Sequence, residues 1–153
     1  MPNLVAPPMD FDVVREEWNR YQLSDNCLLK IKVVMTKVAK AEGQSKSDKQ
    51  NYTFDVQNIT VALTNERGPP DSHNYSPAEI GRSIVKDDMR FTTVAQDWNE
   101  YVVDDGARIR IQPILLKVSK TSKFDGKGVP LYATDLNLNV QIKPPGGGRS
   151  DLT

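Results

Sequence analysis

Few residues of this chain combine reactive side chains with a regular spacing. Two pairs of aspartates, Asp25 with Asp105 and Asp55 with Asp135, could share a proton for acid–base catalysis or hold a metal ion. An aspartate in a hairpin turn can also bond its own backbone two residues on, so turn and strand-end roles are the commoner reason for this residue type. We therefore expect no catalytic residue and no metal site at these positions.

The only histidine is His73 and the only cysteine is Cys27. One chain with this composition lacks the nitrogen and sulfur ligands that a zinc site needs. Cys27 stands beside Leu28 and Leu29, which is typical of a small buried side chain and not of a nucleophile. No phosphate-binding loop, nucleophile elbow or metalloprotease motif occurs. We expect a protein that is not an enzyme and has no cofactor, and the sequence assigns no role to His73.

Aromatic residues recur in a fixed setting just before a turn. Trp18 and Tyr21 precede the first turn, and Trp98 and Tyr101 precede the second. Such rings could stack on bases or sugars. Their identical placement favours a structural role, because large aromatic side chains dominate the energetics of small cores. The predicted structural anchors are Trp18, Tyr21, Asp25, Trp98, Tyr101 and Asp105.

These pairs exist because much of the chain repeats. Residues Met9–Ala41 align on Met89–Thr121 without a gap, with eleven of thirty-three positions identical, against about two expected by chance from average residue usage. The register continues through the pairs Tyr52/Tyr132 and Asp55/Asp135 and then slips by one residue. After that slip, Ile59, Val61 and Leu63 match Leu138, Val140 and Ile142. We interpret the chain as an internal duplication.

Alternating apolar and polar residues predict three strands in each copy, with a hairpin turn at Ser24–Asn26 in the first copy and at Asp104–Gly106 in the second. The apolar phase shifts near Val33 and Pro113, which predicts a bulge there. Residues 11–17 fit either a short strand or a helical turn.

The predicted organisation has five parts within one compact domain. They are an extended arm (1–8), β repeat 1 (9–63), a loop and short helix (64–88), β repeat 2 (89–142) and a flexible tail (143–153). The helix starts at the capping sequence Ser76-Pro77-Ala78-Glu79 and is expected to run through about Val85.

The expected fold is mainly β, with two repeats related by a pseudo-two-fold axis. It forms either a small barrel or a two-sheet sandwich. A chain of 153 residues can bury a core of its own, whereas each repeat alone would be marginal. We therefore expect the repeats to share a core.

Formal net charge is zero, but the cations are clustered. Residues 27–49 carry six positive and two negative side chains, and residues 107–127 carry six and one. The long strand of each copy points its cations to one side. The candidate basic-face residues are Lys30, Lys32, Lys37, Lys40, Arg108, Arg110, Lys117 and Lys120. Lysine-rich exposed strands are commonly just solvated, and binding to nucleic acid or to an acidic protein surface is the functional alternative.

The preferred functional hypothesis is a non-catalytic interaction module, an accessory or structural subunit that assembles with itself or with a larger protein. A duplicated β unit with extended termini offers two similar surfaces and two tethers. The alternative is a nucleic-acid-binding β domain that uses two equivalent basic strand faces. A single cysteine, with no signal peptide or long apolar run, favours a cytoplasmic protein without a membrane partner.

Overall fold

Strands dominate the chain, as predicted. The computed structural model describes residues 7–41 and 52–145. In chain order its elements are β1 (Phe11–Arg15), β2 (Asn19–Leu23), β3 (Leu28–Lys40), β4 (Tyr52–Leu63), α1 (Pro77–Arg82), β5 (Ile84–Lys86), β6 (Phe91–Ala95), β7 (Asn99–Val103), β8 (Arg108–Phe124) and β9 (Pro130–Lys143). The predicted polar loop 42–51, and most of the predicted arm and tail, lie outside the described residues.

The strands form two antiparallel sheets. The first sheet has the order β4-β3-β2-β6, and the second has the order β1-β7-β8-β5 with β9 also paired to β8. Over the residues that the structure describes, neither sheet closes on itself, so the barrel alternative is wrong. Strands β4 and β6 remain as the two edges of the first sheet.

Strand β1 resolves the ambiguous segment at residues 11–17 and corrects the expectation of three strands in each copy. It pairs with β7 in the other half of the chain, with Phe11 opposite Val103. Strand β6 pairs in the same way with β2, and Phe91 lies opposite Leu23. The periodicity of β1 is weak in the sequence because β1 is an edge strand that buries little.

Two hydrophobic clusters form the core, and both sheets contribute to each. The first cluster comprises Tyr21, Leu23, Cys27, Leu29, Ile31, Met89, Leu115 and Val118. The second comprises Met35, Val38, Tyr52, Tyr101, Val103, Ala107, Ile109 and Ile111. Each long strand, β3 and β8, therefore passes through both clusters, and neither half of the chain holds a cluster alone.

Each long strand contains a bulge next to the point where it passes from one hydrophobic cluster to the other. The pairing with β4 shifts between Met35 and Lys37, and the pairing with β9 shifts between Leu115 and Lys117. The predicted position near Val33 and Pro113 is wrong, because the inward alternation continues to Met35 and Leu115 and changes phase only after them.

The predicted one-residue slip in the last strands is also wrong. Lys32 lies opposite Ile59 in β4, and the aligned Gln112 lies opposite Asn139 in β9, so the original register holds. Ile59, Val61 and Leu63 consequently point to the outer side of the first sheet, whereas Ala62 packs on the first cluster. Apolar periodicity alone could not distinguish the inner from the outer side of the strand.

Helix α1 starts as its sequence predicts. The Ser76 side chain accepts a hydrogen bond from Glu79 N, and the Glu79 side chain accepts one from Ser76 N, so the capping box is complete. The helix ends at Arg82, earlier than expected, because Ile84–Lys86 forms β5 and pairs with β8.

Candidate functional site

The aspartates of the two hairpin turns are structural ties. Tyr132 Oη donates to Asp25 Oδ2 at 2.7 Å, and Tyr52 Oη donates to Asp105 Oδ2 at 2.6 Å. Each carboxylate also accepts a hydrogen bond from a backbone N–H of its own turn. These ties fasten each turn to the last strand of the other half of the chain.

Lys120 also forms an ion pair with Asp25, with its Nζ 3.3 Å from the carboxylate. The same ammonium forms a second ion pair with Glu66. Burial raises the pKa of Asp25, but hydrogen bonds from Tyr132 and Lys120 outweigh it, and the net pKa lies below its usual value. Burial and the neighbouring carboxylate together raise the pKa of Tyr132. At neutral pH Asp25 is therefore ionised and accepts these hydrogen bonds, which suits a structural role.

The other two aspartates lie on different sheets. Asp55 lies opposite Lys37 in the first sheet, and Asp135 lies opposite Lys117 in the second. Within residues 7–41 and 52–145, no group of three His, Cys, Asp or Glu side chains is placed to hold a metal ion.

Sequence reasoning missed two buried asparagines, Asn19 and Asn99. Asn19 Nδ2 donates to Pro113 O at 3.1 Å, and its Oδ1 accepts from Asp97 N at 3.2 Å. Asn99 makes the matching bonds, to Val33 O at 2.8 Å and from Glu17 N at 3.1 Å. The available signal was that asparagine stands at both aligned positions of the sequence, since a buried amide needs partners for its hydrogen bonds.

The predicted aromatic anchors separate into two environments. Tyr21 and Tyr101 are fully buried, one in each cluster. Trp18 and Trp98 belong to neither cluster and lie half-buried on the outer sides of the sheets. Cations cover their rings: Lys30 Nζ lies 4.6 Å from the centroid of Trp18, and the Arg110 guanidinium lies 4.6 Å from that of Trp98.

The eight candidate basic-face residues form two groups of four, according to whether they contact a carboxylate in the described part of the chain. Several contact carboxylates: Arg108 with Glu100 at 2.6 Å, Lys117 with Asp87 at 3.3 Å, Lys40 with Asp105 at 3.9 Å and Lys120 with Asp25 and Glu66. No carboxylate among the described residues lies within ion-pair distance of Lys30, Lys32, Lys37 or Arg110. The outer sides of the two sheets differ in charge, because Glu100 occupies in the second sheet the position that Arg20 occupies in the first.

The outer side of the first sheet is the most distinctive surface, and we call it the first-sheet face. Its members point outward from β2, β3 and β4, together with Trp18, which directly precedes β2 and contacts the lysines of β3. They are Trp18, Arg20, Leu28, Lys30, Lys32, Ile59, Val61 and Leu63. Ile59, Val61 and Leu63 stand in a row on the edge strand β4 and are 44%, 36% and 47% exposed. Lys30 is opposite Val61, and Lys32 is opposite Ile59. The face thus combines three cations with a continuous aliphatic row.

The corresponding positions of the second sheet are polar. Asn139, Gln141 and Lys143 on β9 stand where Ile59, Val61 and Leu63 stand on β4. Arg110 Nη1 donates a hydrogen bond to Gln141 Oε1 at 2.9 Å. The aliphatic row is therefore particular to the first sheet and is absent at the aligned positions of the second.

The sequence of β4 contains a signal for this face, namely a change in the phase of its apolar residues, but periodicity alone assigns Ile59, Val61 and Leu63 to the inner side. The apolar residues of β4 occupy even positions at Tyr52, Phe54 and Val56 and odd positions from Ile59 onward. The strand contains no bulge where that change occurs, because its only shift in pairing lies opposite Met35 and Lys37. A phase change without a bulge indicates a strand that has apolar residues on both sides.

The chain matches no protein-family model, no curated protein and no solved structure. In the part of the chain that the structure describes, no helix is long and apolar enough to cross a membrane.

Proposed function

We propose that this chain is a non-catalytic interaction module, an accessory or structural subunit that binds a protein through the first-sheet face. The observation that carries the proposal is the aliphatic row of Ile59, Val61 and Leu63 on an edge strand. Exposed contiguous apolar surface, particularly with a polar rim, is characteristic of interaction sites. Edge strands with exposed apolar residues are hazardous unless a partner covers them.

We also infer that residues 9–63 and 89–142 are copies of one unit. Matched contacts support this: Met9 N donates to Val38 O, and Met89 N donates to Val118 O, both at 2.8 Å. In this view the two copies differ in their outer sides, and only the first carries the aliphatic row. An experimental structure in which the two segments fail to superpose would contradict the duplication.

A reducing, cytoplasmic setting is part of the proposal. It is supported by Cys27, the only cysteine, which is a buried free thiol with no cysteine to pair with in its own chain.

The test compares the first-sheet face with exposed valines elsewhere. The variant Ile59→Ser/Val61→Ser/Leu63→Ser removes the row, and Val13→Ser/Val94→Ser/Val140→Ser removes three exposed side chains outside it. We expect self-association in light scattering, or capture of a host protein, to be lost in the first variant and kept in the second. A wild-type chain that is monomeric and captures nothing, or equal capture by both variants, would refute the proposal.

The second candidate function is nucleic-acid binding, and one observation favours it. Trp18 lies beside Lys30 and Lys32, at 4.6 and 5.6 Å from its ring centroid, which resembles a stacking platform with phosphate contacts. If three cations of the face contact single-stranded DNA, the logarithm of the binding constant should fall with the logarithm of the salt concentration, with a slope of about −2. A titration at low salt with no shift of DNA or RNA would eliminate this candidate.

A further inference from the structure

We propose that the occupant of the first-sheet face is an acidic polypeptide segment with interspersed aliphatic residues. This inference rests on the proposed function and specifies the chemistry of the partner. Charge complementarity carries it: Arg20, Lys30 and Lys32 point outward together, and no carboxylate among the described residues lies within ion-pair distance of any of them. The aliphatic row supplies the apolar part of the contact beside those cations.

The composition of the face favours a polypeptide over a nucleic acid. Bases bind sheets mainly by stacking on flat aromatic rings, whereas this face presents branched aliphatic side chains. Trp18, the aromatic side chain on it, already holds Lys30 over its ring, so a base would have to displace that ammonium. Carboxylates can bind the lysines without removing them from the ring.

Charge also argues against a second copy as the occupant. Two first-sheet faces brought together would oppose Arg20, Lys30 and Lys32 with the same cations. The second sheet is no better suited, because the outward residues that correspond to the first-sheet face include three cations, Arg108, Arg110 and Lys143, and one carboxylate, Glu100, which is already paired with Arg108. An acidic segment from another protein meets neither obstacle.

Binding of a defined probe tests the proposal on the full chain. The probe is an end-blocked, fluorescein-labelled peptide of repeated Glu-Glu-Val-Leu units, and its counterpart carries glutamine in place of glutamate. Anisotropy should show binding of the acidic probe only. Binding should weaken as salt rises, because the Debye length falls from about 30 Å at 0.01 M to about 10 Å at 0.1 M. In the Trp98→Phe variant, which keeps Trp18 as the single tryptophan, the same titration should change the tryptophan emission.

Matched charge variants locate the binding surface. Arg20→Gln/Lys30→Gln/Lys32→Gln should weaken binding of the acidic probe about tenfold, since each exposed ion pair contributes modestly. Arg108→Gln/Arg110→Gln/Lys143→Gln removes the same charge from the second sheet and should leave the affinity within about twofold of wild type.

Each other outcome overturns the inference. Equal loss in both charge variants would mean nonspecific attraction, and binding of an oligothymidylate in preference to the peptide would assign the face to nucleic acid. Concentration-dependent mass in light scattering that the Ile59→Ser/Val61→Ser/Leu63→Ser variant abolishes would assign the face to a second copy. If that serine variant loses a host partner but the acidic probe does not bind, the interaction function stands and the acidic chemistry is wrong.

Discussion

At the scale of single residues, two buried asparagine side chains connect the two halves of the chain by hydrogen bonds. Asn19 and Asn99 each cross from one half of the chain to backbone groups of the other. Each is 1% exposed, so water cannot replace the lost partner if the amide is removed. Their contribution is therefore larger than that of a typical surface hydrogen bond.

We predict that Asn19→Ala lowers the free energy of unfolding by about 2–4 kcal/mol, because it leaves Pro113 O and Asp97 N without their partner. Asn99→Ala should have a similar effect. Urea unfolding followed by circular dichroism measures both. The control Asn58→Ala, at an exposed position of β4, should change stability by less than about 0.5 kcal/mol. A near-neutral Asn19→Ala would show that the amide is not structural.

The lowered pKa of Asp25 predicts that the free energy of unfolding depends on pH. Its folded-state pKa lies below its unfolded value of about 3.9, so its stabilisation is complete above that value and is lost as pH falls through the folded pKa. We expect Asp25→Asn to be less stable than wild type at pH 7, with the difference narrowing below about pH 4. Thermal melts across this range provide the measurement, with the exposed Asp12→Asn as the control. A difference that stays constant with pH would contradict the role of Asp25.

At the scale of elements, the turn after β8 holds the loop that joins the two halves of the chain. Gly68 N donates to Gly128 O at 2.8 Å, and Asp71 N donates to Asp125 O at 2.9 Å. Gly128 has a φ of +81°, and a Cβ there would lie 2.5 Å from Gly68 O. Both the backbone conformation and the close approach therefore require glycine.

We predict that Gly128→Ala costs about 1–3 kcal/mol and loosens the joining loop before the sheets. Gly126→Ala is the matched control, because a Cβ there meets no atom within 4 Å. Hydrogen exchange at the amides of Gly68 and Asp71 should accelerate only in the Gly128 variant. Equal protection in both variants would show that the close approach does not hold the loop.

At the scale of the whole molecule, neither half of the chain contains a complete core. Leu29 and Ile31 of the first half share a cluster with Leu115 and Val118 of the second. Met35 and Val38 share the other cluster with Ile109 and Ile111. Strands β1 and β6 also pair only with the opposite half.

We therefore predict that fragments 1–76 and 77–153, produced separately, are largely unfolded and regain native structure when mixed. Each fragment alone would expose the apolar side chains that its partner covers, at a cost of about 25 cal/mol per Å². Dispersion of amide resonances, measured before and after mixing, tests this. A fragment that shows native-like dispersion alone would mean that one half folds independently.

The sequence by itself determined the mainly β character, the alternation that buries Leu29, Ile31, Ile109 and Ile111, the positive-φ turns at Asn26 and Gly106, and the cap of α1. These properties are local, because they depend on side-chain periodicity and backbone sterics within a few residues. The repeated Trp and Asp positions were also visible, although their surroundings were not.

Only the tertiary structure decided which strands pair across the halves and which side of β4 faces solvent. Pairing between distant strands depends on long-range contacts, and a strand with apolar residues on both sides has no preferred inner face in its sequence. The register between β3 and β4 sets that choice, because Ile59, Val61 and Leu63 lie opposite Lys32, Lys30 and Leu28. Those β3 residues point away from the core, so the aliphatic row lies beside Lys30 and Lys32 on the outer side of the sheet.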